Sequence, residues 1–535
     1  MVRKPAIVAE HRISGTSETL MNVFDASRFD SDKRFDVDVV IVGTGAGGGT
    51  SAEILSEAGL RVLMIEEGPY WTSADFKMLE SQSYPNLYQE SAARKTKDKG
   101  INILQGRSVG GSTTVNWTSS FRTPPATLAY WRERFGLNDF TVDLLAPWFE
   151  RMEHRLNMKP WAVPPNANND VLRRGAAALN IPTAVIPRNV KGCWNLGYCG
   201  MGCPKNAKQS MLVTTIPSAL ERGAILLSRA RAQRLIADSH GRIVSLECVA
   251  MDADGIHPSA HRITIRARHF ILAGGAIGSP ALLLRSNLPD PYGRVGKRTF
   301  LHPTVISAAV MPDIVDPFSG APQSVYSDHF LYVDRIDGPI GYKLEVPPLH
   351  PVLTSTTMTG YGIPAAQAME NMRYTSAIIA LLRDGFHEQS AGGTVELKSD
   401  STPVLDYRMT DYVWEGARRA LLTMAEIQFA AGAHSVHPLH ENATPYGSLD
   451  AARSAIAGFP MEILRTRVAS AHVMGGCAMG ADPKLSVVDG YGSHHHVDNL
   501  SVFDGSVFPT SIGANPQLSI YGIVARNATR LAQQL

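Results

Sequence analysis

Residues 37–66 read VDVVIVGTGAGGGTSAEILSEAGLRVLMIE and predict a strand, a glycine-rich turn, a helix and a second strand. Residues 39–42 form a short apolar run, which is typical of a central parallel strand covered on both faces. The next segment has the pattern of a helix that ends at Gly59, and residues 62–65 form another apolar strand. This order predicts a βαβ unit at the start of a doubly wound sheet.

The turn carries a G-x-G-x-x-G pattern at Gly43, Gly45 and Gly48. In such turns the first glycine permits the tight bend, the second lets the backbone approach a pyrophosphate, and the third lets the helix pack close to the strand. The helix N-terminus then offers free N–H groups to the diphosphate. Glu66 ends the second strand, where a carboxylate can accept hydrogen bonds from a ribose. The stretch therefore predicts a dinucleotide site.

Bulk composition indicates a soluble globular enzyme of several domains. The chain has 535 residues, of which 44% are hydrophobic and 19% charged, and its formal net charge is +2. A balance so near zero gives no reason to expect nucleic acid as a partner. No apolar run approaches the roughly 18 residues of a membrane span. We expect neither a transmembrane segment nor a signal peptide, and a cytoplasmic or periplasmic location, with export on a partner possible.

Three of the five cysteines, Cys193, Cys199 and Cys203, lie within eleven residues as C-x5-C-x3-C. Such clustering is not the pattern of a disulfide framework. Three interpretations stay open: an iron–sulfur cluster, a zinc or other structural metal site, and buried thiols or a disulfide. The absence of a fourth nearby cysteine disfavours a cluster held by four cysteines.

The rest of the chain predicts a second domain of different character. Residues 106–116 combine paired glycines with small hydroxyl residues, which suits a backbone that passes against a flat ring. From about residue 301 to 460, short alternating strands and frequent prolines appear, with long helices predicted at 365–382 and 411–431. We predict an α/β chain, α+β overall, with a Rossmann-like domain and a substrate domain built on an antiparallel sheet with covering helices.

The predicted domain boundaries follow these changes in pattern. Residues 1–35 form an N-terminal arm, and a discontinuous cofactor domain takes residues 36–125, 205–300 and 461–535. A cap with the cysteine segment takes residues 126–204, and the substrate domain takes residues 301–460.

Five ordered motifs together resemble the glucose–methanol–choline (GMC) flavoprotein oxidoreductases. They are the fingerprint, the 106–116 segment, residues 275–280, the segment from His472 to Gly480, and the segment from Asp504 to Pro516. The resemblance covers about residue 35 to the C-terminus. It implies that FAD occupies the dinucleotide site and accepts a hydride from an alcohol carbon.

The resemblance also implies roles for particular residues. His472 takes the position of the catalytic base, and Asn515, where many members have a second histidine, hydrogen-bonds the substrate oxygen. Val115 stands where some members attach the flavin through a histidine, so non-covalent FAD is expected. Besides Gly43, Gly45, Gly48 and Glu66, the implied cofactor-binding residues are Gly106, Arg107, Gly110, Gly111, Ser112, Asn116, Asp504, Asn515 and Pro516.

The cysteine segment resembles that of bacterial multi-subunit FAD glucose dehydrogenases, in which three cysteines hold a three-iron cluster. A weaker resemblance is to long-chain alcohol oxidases. The first predicts that Cys193, Cys199 and Cys203 ligate a 3Fe–4S cluster, with electrons leaving to a quinone, a cytochrome or a similar acceptor, and with small and cytochrome subunits as possible partners.

Our leading hypothesis from the sequence is a FAD-dependent dehydrogenase of a lipophilic or aromatic alcohol, or of a sugar. The apolar, proline-rich residues 344–351 favour the lipophilic class. The alternative is an oxygen-dependent alcohol oxidase in which the three cysteines are structural. A third hypothesis, from another class, is a flavin-retaining electron-carrier subunit without alcohol chemistry.

Overall fold

A mixed sheet of eight strands carries the glycine fingerprint in the computed structural model, which describes residues 22–535. A second sheet of six strands lies in a separate hydrophobic core. The chain is α/β with sheets of mixed orientation, so the predicted fold class is confirmed.

The strands are β1 (Val23–Asp25), β2 (Lys33–Val42), β3 (Val62–Ile65), β4 (Ile101–Ile103), β5 (Met158–Pro160), β6 (Ala184–Val185), β7 (Pro187–Asn189), β8 (Ile225–Ser228), β9 (Ala230–Ala237), β10 (Ile243–Met251), β11 (Pro258–Leu272), β12 (Thr299–Leu301), β13 (Thr304–Val310), β14 (Val325–Tyr326), β15 (Tyr342–Glu345), β16 (Thr375–Leu382), β17 (Thr394–Leu397), β18 (Pro403–Asp406), β19 (Ser435–Pro438), β20 (Val468–Ser470), β21 (Val473–Gly475) and β22 (Leu500–Val502). The helices are α1 (Ala46–Glu57), α2 (Glu80–Leu87), α3 (Ser112–Val115), α4 (Pro125–Phe135), α5 (Val142–Arg155), α6 (Ala167–Ala178), α7 (Thr215–Glu221), α8 (Gly275–Ser286), α9 (Pro351–Thr357), α10 (Ile363–Glu370), α11 (Asp411–Ala430), α12 (Leu449–Gly458) and α13 (Gln517–Gln534).

The first sheet has the order β1-β8-β3-β2-β11-β10-β9, and β22 lies beside β11. Its centre is parallel, because β3, β8, β11 and β22 all follow the direction of β2, while β10 runs antiparallel to both of its neighbours. Every residue of β3 is buried, as expected for a strand covered on both faces. The fingerprint turn and Glu66 thus lie at the carboxyl end of parallel strands, where ligands of such sheets bind.

The second sheet has the order β15-β16-β13-β20-β4, with β19 also paired to β13. All of these pairs are antiparallel except β20 with β4. Helix α11 covers the sheet with a buried face that includes Trp414, Leu421 and Met424. It spans Asp411–Ala430, so the helix predicted at 411–431 is confirmed.

The helix predicted at 365–382 is wrong over its second half. Helix α10 ends at Glu370, a 3₁₀ turn follows at Asn371–Tyr374, and β16 occupies Thr375–Leu382. β16 is the centre of an antiparallel ladder between β13 and β15, and all its residues after the first are buried. A continuous apolar run fits a buried strand as well as a helix, and pairing with two neighbours decides between them.

Residues of the predicted arm and of the predicted cap pack against the main sheets and cores. In the predicted arm, β1 pairs with the edge strand β8, while residues 1–21 lie outside the described residues. In the predicted cap, α5 places Phe149 in the first core, whereas α6 places Leu172 in the second. Within residues 22–535, no helix is both long enough and apolar enough to span a bilayer.

The contact between α1 and the fingerprint turn yields a stability prediction. A Cβ at Gly48 would overlap the main-chain oxygen of Gly43. Overpacking of this kind typically costs 1–3 kcal/mol or more, so Gly48→Ala is expected to lower the free energy of unfolding by about that amount.

Gly458→Ala is the matched control, since Gly458 also lies in a helix but has open space around its Cα. We expect it to be neutral or to stabilise by up to about 1 kcal/mol. Denaturant unfolding of both variants checks the difference, and equal stabilities would contradict the contact.

Candidate active site and cofactor groove

One cavity of about 980 Å³ connects the fingerprint turn with the second sheet. It passes the carboxyl ends of β2 and β3, then the 106–116 segment, and ends between the face of the second sheet and helices α9 and α10. Among the predicted site residues, those that line it are Gly43, Gly45, Glu66, Gly106, Gly111, Ser112, Asn116, His472, Asp504, Asn515 and Pro516. Gly48, Arg107, Gly110 and the three cysteines are not among the lining residues.

The dinucleotide end is built around Glu66, which is buried. Its carboxylate accepts hydrogen bonds from the Thr44 main-chain N–H at 3.2 Å, from the Thr44 hydroxyl at 2.7 Å and from the Gly68 N–H at 3.0 Å. Burial raises the pKa of Glu66, against the lowering effect of these hydrogen bonds. Gly45 caps α1 without any side-chain hydrogen bond, so the helix N-terminus is free to bind an anion.

Glycines allow close backbone contacts around this end of the groove. A Cβ at Gly47 would overlap the Phe503 carbonyl, and a Cβ at Gly111 would come within 2.7 Å of the Gly45 Cα. The glycines therefore let the main-chain segments that border the groove lie against one another. The absence of side chains, the free helix N-terminus and the Glu66 carboxylate together fit a dinucleotide.

The 106–116 segment is tied to the fingerprint turn. The Gly110 N–H donates to the Thr44 hydroxyl at 3.0 Å, and the Gly106 N–H donates to the Ser112 hydroxyl at 2.9 Å. Asn116 lines the cavity with its side-chain amide donating to Gln517 Oε1 at 2.8 Å. Arg107 instead points away, donating to the Gly255 carbonyl and lying 3.4 Å from Glu67.

Asp504 joins β22 to the first turn of α8. Its carboxylate accepts from the Ser279 hydroxyl at 2.5 Å, from the Gly275 N–H at 2.8 Å and from the Ser506 N–H at 2.8 Å. Burial raises the pKa of Asp504, and its hydrogen bonds lower it. The carboxylate thus fixes two glycine-rich turns that border the groove.

His472, between β20 and β21, lies at the other end and forms a pair with His302. The Nδ1 atoms of the two imidazoles are 3.0 Å apart, and the rings meet edge to face. The Gly513 main-chain N–H donates to Nε2 of His302 at 3.2 Å. Nε2 is therefore the nitrogen of His472 that is left for a ligand in the cavity.

These contacts specify a tautomer for the neutral pair. Nε2 of His302 accepts from Gly513, so a neutral His302 carries its proton on Nδ1 and donates it to His472. His472 then carries its own proton on Nε2. To accept a proton at Nε2, His472 must adopt the other tautomer, in which its Nδ1–H donates to His302 and the Gly513 bond is lost.

Both imidazoles are held neutral. Burial, and then the positive charge of Lys343, lower the pKa of His472 to about 3. Burial also lowers the pKa of His302 well below its usual value, and His472, Lys343 and Arg383 add to this effect. The pair thus stays uncharged throughout the physiological range of pH.

Asn515 is held by a buried ion pair on β15. Its amide nitrogen Nδ2 donates to Glu345 Oε2 at 3.2 Å, and its carbonyl Oδ1 accepts from Lys343 Nζ at 3.4 Å. Lys343 Nζ also lies 3.4 Å from Glu345 Oε1, and the two side chains are 4% and 0% exposed. A cation at one end and an anion at the other leave the amide only one favourable orientation.

Lys343 is enclosed by aromatic rings as well as by its carboxylate partner. Its Nζ lies 3.0 Å from the ring centre of Phe121 and 4.3 Å from that of Tyr326. Burial lowers the pKa of Lys343 to about 8, while Glu345 and Asp328 act in the opposite direction. The ammonium form therefore prevails at neutral pH.

The part of the cavity between the second sheet and helices α9 and α10 is largely apolar. Alternate residues of β13 and β16 form its floor, namely Ile306, Ala308, Val310, Ala377, Ile379 and Leu381. Residues of α9, α10 and the adjoining loops form its roof, among them Leu353, Met358, Ala368 and Met372. Small and aliphatic side chains on both walls suit an unbranched apolar chain.

The structure does not support the metal site predicted at Cys193, Cys199 and Cys203. Among residues 22–535, no group of three or more His, Cys, Asp or Glu side chains is placed to hold a metal ion. The five cysteines are free thiols. Cys193 Sγ accepts from the Asn195 N–H at 3.4 Å, and Cys199 Sγ lies 3.5 Å from Arg188 Nη2. The prediction of an iron–sulfur cluster thus finds no support.

Buried cations hold this segment against the groove instead. Lys208 Nζ donates to the carbonyls of Thr114, Asn116 and Cys199 at 2.6–2.8 Å. Arg188 donates to the Thr118 hydroxyl at 2.7 Å and to the Trp117 carbonyl at 3.2 Å. The segment therefore supports the cavity wall that follows residue 116.

His302, Lys343 and Glu345 are three residues of the site that no sequence motif predicted. His302 has no motif of its own, and it reaches His472 only because β12 pairs with β21. Lys343 and Glu345 did carry a signal, since residues at i and i+2 of a strand share one face. Opposite charges at that spacing, in a strand otherwise apolar, indicate a buried ion pair.

Known proteins of one family resemble this chain along most of its length. Two family models described as GMC oxidoreductase match residues 84–304 and 389–523. The chain is 29% identical to long-chain-alcohol oxidase FAO4A of Arabidopsis thaliana, over 98% of this chain and 72% of the relative. It is 31% identical to the uncharacterized GMC-type oxidoreductase Rv0492c of Mycobacterium tuberculosis, over 92% of this chain and 75% of the relative.

A solved structure shares the fold. The crystal structure of pyridoxine 4-oxidase from Mesorbium loti superposes with a TM-score of 0.68 at 20% identity, covering 92% of this chain and 98% of the other.

The cysteine segment yields a compositional prediction. Because hydrogen bonds from Lys208 and Arg188 already fix it, purified protein is expected to contain no stoichiometric iron or zinc. A variant with Cys193→Ser, Cys199→Ser and Cys203→Ser is expected to fold and to retain its cofactor. Elemental analysis and the visible spectrum check both points, and three iron atoms per chain that disappear in the variant would contradict them.

Proposed function

We infer that this chain, which belongs to the GMC oxidoreductase family, is an FAD-dependent oxidase of long, lipophilic primary alcohols. The chain is an oxidoreductase that acts on CH–OH donors. The apolar cavity that leads to His472 and Asn515 is the observation that carries the proposed substrate class.

The groove residues fit FAD. Gly43, Gly45 and the free N-terminus of α1 would hold the diphosphate, Glu66 the ribose, and Gly111 with Asn116 the ring system. When bound, FAD supplies the acceptor for the hydride that leaves the alcohol carbon. Val115 cannot form a covalent bond to a flavin, in keeping with non-covalent attachment.

His472 and Asn515 are proposed to bind the hydroxyl oxygen of the alcohol. Both line the cavity at the end that meets the apolar walls. His472 takes the hydroxyl proton at Nε2, in the tautomer that donates from Nδ1 to His302. Asn515 donates from Nδ2 to the same oxygen as negative charge grows there.

Oxygen is proposed as the electron acceptor, in place of the iron–sulfur route favoured by the sequence analysis. Similar proteins carry the names of oxidases, among them a long-chain-alcohol oxidase. No candidate metal group occurs among residues 22–535. The reaction then needs neither a cytochrome nor a small subunit, and the cysteine segment serves as a structural support for the cavity wall.

Turnover of 1-dodecanol tests the proposal. Purified holoenzyme in air is expected to form one peroxide per aldehyde, without added dye. His472→Ala is expected to lower kcat/KM by roughly 10²–10⁴-fold, the usual contribution of a general base. His257→Ala is the matched control, since its side chain is 71% exposed and lies outside the cavity lining.

Turnover that requires a dye and yields no peroxide would contradict the oxidase assignment. Oxidation of glucose in preference to dodecanol would contradict the substrate class.

The low pKa of His472 predicts an unusual pH profile. A histidine base must be neutral, and a pKa lowered to about 3 keeps His472 neutral at every pH well above that value. The kcat/KM for dodecanol is therefore expected to show no loss of activity between about pH 7.5 and 5, where an ordinary histidine with a pKa near 6.5 would protonate. A decline with an inflection near pH 6.5 would show that His472 titrates normally.

A further inference from the structure

The two residues that we propose to bind the reacting oxygen are each held by buried partners, which decide whether they offer a hydrogen-bond donor or an acceptor. His472 is fixed by His302, and Asn515 by Lys343 and Glu345. The short loop from Gly513 to Asn515 takes part in both arrangements, because Gly513 donates to His302. This loop thus connects His302, which holds His472, with the Lys343–Glu345 pair, which holds Asn515.

The His302–His472 pair offers a hydrogen-bond donor to a ligand in the cavity. Gly513 makes Nε2 of His302 an acceptor, His302 donates from Nδ1 to His472, and the remaining proton of His472 is on Nε2. The side-chain amide of Asn515, held by Lys343 and Glu345, offers a second hydrogen-bond donor. Nδ2 of Asn515 carries two hydrogens, and Glu345 accepts only one of them.

The electrostatic setting also favours an anion. Lys343 lies against Asn515 and Arg383 lies near His302, and both charges disfavour a proton on the imidazole pair. Glu345 balances the charge of Lys343, and its Oε2 accepts one of the two Nδ2 hydrogens of Asn515, which leaves the other for a ligand.

We propose that the resting site is a two-donor oxyanion site, formed by Nε2–H of His472 and Nδ2–H of Asn515, that binds aliphatic carboxylates. The proposal rests on the proposed function only in placing an aliphatic chain in the apolar cavity. His302 and the Lys343–Glu345 pair are its positioning residues.

The chemistry distinguishes a carboxylate from the alcohol. A carboxylate has only acceptor atoms, and its hydrogen bonds to N–H donors are charge-assisted. An alcohol must find an acceptor for its own hydroxyl proton, which the resting tautomer of His472 does not offer. A fatty acid anion therefore stabilises the resting pair and competes with the substrate.

Calorimetric titration of the FAD-loaded enzyme with octanoate and with 2-methyl-2-octanol tests the proposal. The tertiary alcohol has no carbinol hydrogen and cannot be oxidised, so both ligands report binding alone. Octanoate is expected to bind at least about 10-fold more tightly, because charge-assisted hydrogen bonds are roughly twice as strong as neutral ones. It is also expected to compete with 1-octanol in turnover.

Three variants assign this preference to the positioning residues. His302→Leu and the neutral double variant Lys343→Met with Glu345→Gln are each expected to bring the two affinities within about 3-fold, through loss of octanoate binding. His302→Asn keeps an amide N–H near the position of Nδ1 and is expected to restore part of the preference. FAD content and thermal stability are measured for each.

Ser307→Ala is the matched control. Ser307 lies in β13 of the same sheet as Lys343 and outside the cavity lining, and the change removes its buried hydrogen bond to Gln428 of α11. It is expected to lower stability slightly and to leave the preference for octanoate unchanged.

The outcomes separate the inference from the proposed function. Equal affinities in the wild-type enzyme, or a preference that persists in both the His302→Leu and the double variant, overturns the oxyanion site while dodecanol oxidation stands. If neither ligand binds and dodecanol is not oxidised, the assignment of the cavity to aliphatic chains fails, and both proposals fall.

Discussion

The hydrogen bonds of one short loop, from Gly513 to Asn515, connect the two halves of this molecule. The loop precedes α13, which packs in the first core. Its partners Lys343 and Glu345 lie in β15 of the second sheet, and its partner His302 lies between β12 and β13. All of these groups are buried, and a buried polar group left without a partner costs about 1–3 kcal/mol. Moving one half against the other would break several such bonds together. The position of His472 and Asn515 relative to the groove therefore follows from this constraint.

The cofactor half was largely predictable because its signals are local. The fingerprint, the apolar strands and Glu66 lie within thirty residues, and each has a geometric reason for its spacing. The substrate half was harder to predict, because its decisive contacts join distant segments. His302 and His472 are 170 residues apart, and Asn515 and Glu345 are also 170 apart. The second half of the predicted helix at 365–382 failed for the same reason, since β13 and β15 make β16 a strand.

The cysteine segment shows how a spacing can mislead when its surroundings are unknown. Glycines and closely spaced thiols suit a metal cluster, but they also suit a tight loop whose carbonyls must be satisfied in a buried place. Here Lys208 donates to the Cys199 carbonyl and Arg188 donates to the Cys199 thiol, and neither residue belongs to the motif that prompted the prediction. The segment therefore has a structural role that needs no metal. Together with Lys208 and Arg188 it fixes the main chain at residues 114–118, next to the groove.

Burial at the reactive end lowers the basicity of His472 and keeps its protonation state constant. A ring with a pKa near 3 is a weak base in its resting surroundings, so it gains little from accepting a proton until negative charge develops nearby. In the proposed reaction, transfer of a hydride from the alcohol carbon is helped by negative charge on the oxygen, and the two proposed N–H donors would stabilise that charge. The low basicity of His472 and the fixed positions of the proposed donors have one cause. His302, His472 and Lys343 are enclosed away from water. A site of this kind relies on preorganised dipoles more than on a strong base, and its partners in the second sheet are as much a part of the chemistry as the residues that touch the substrate.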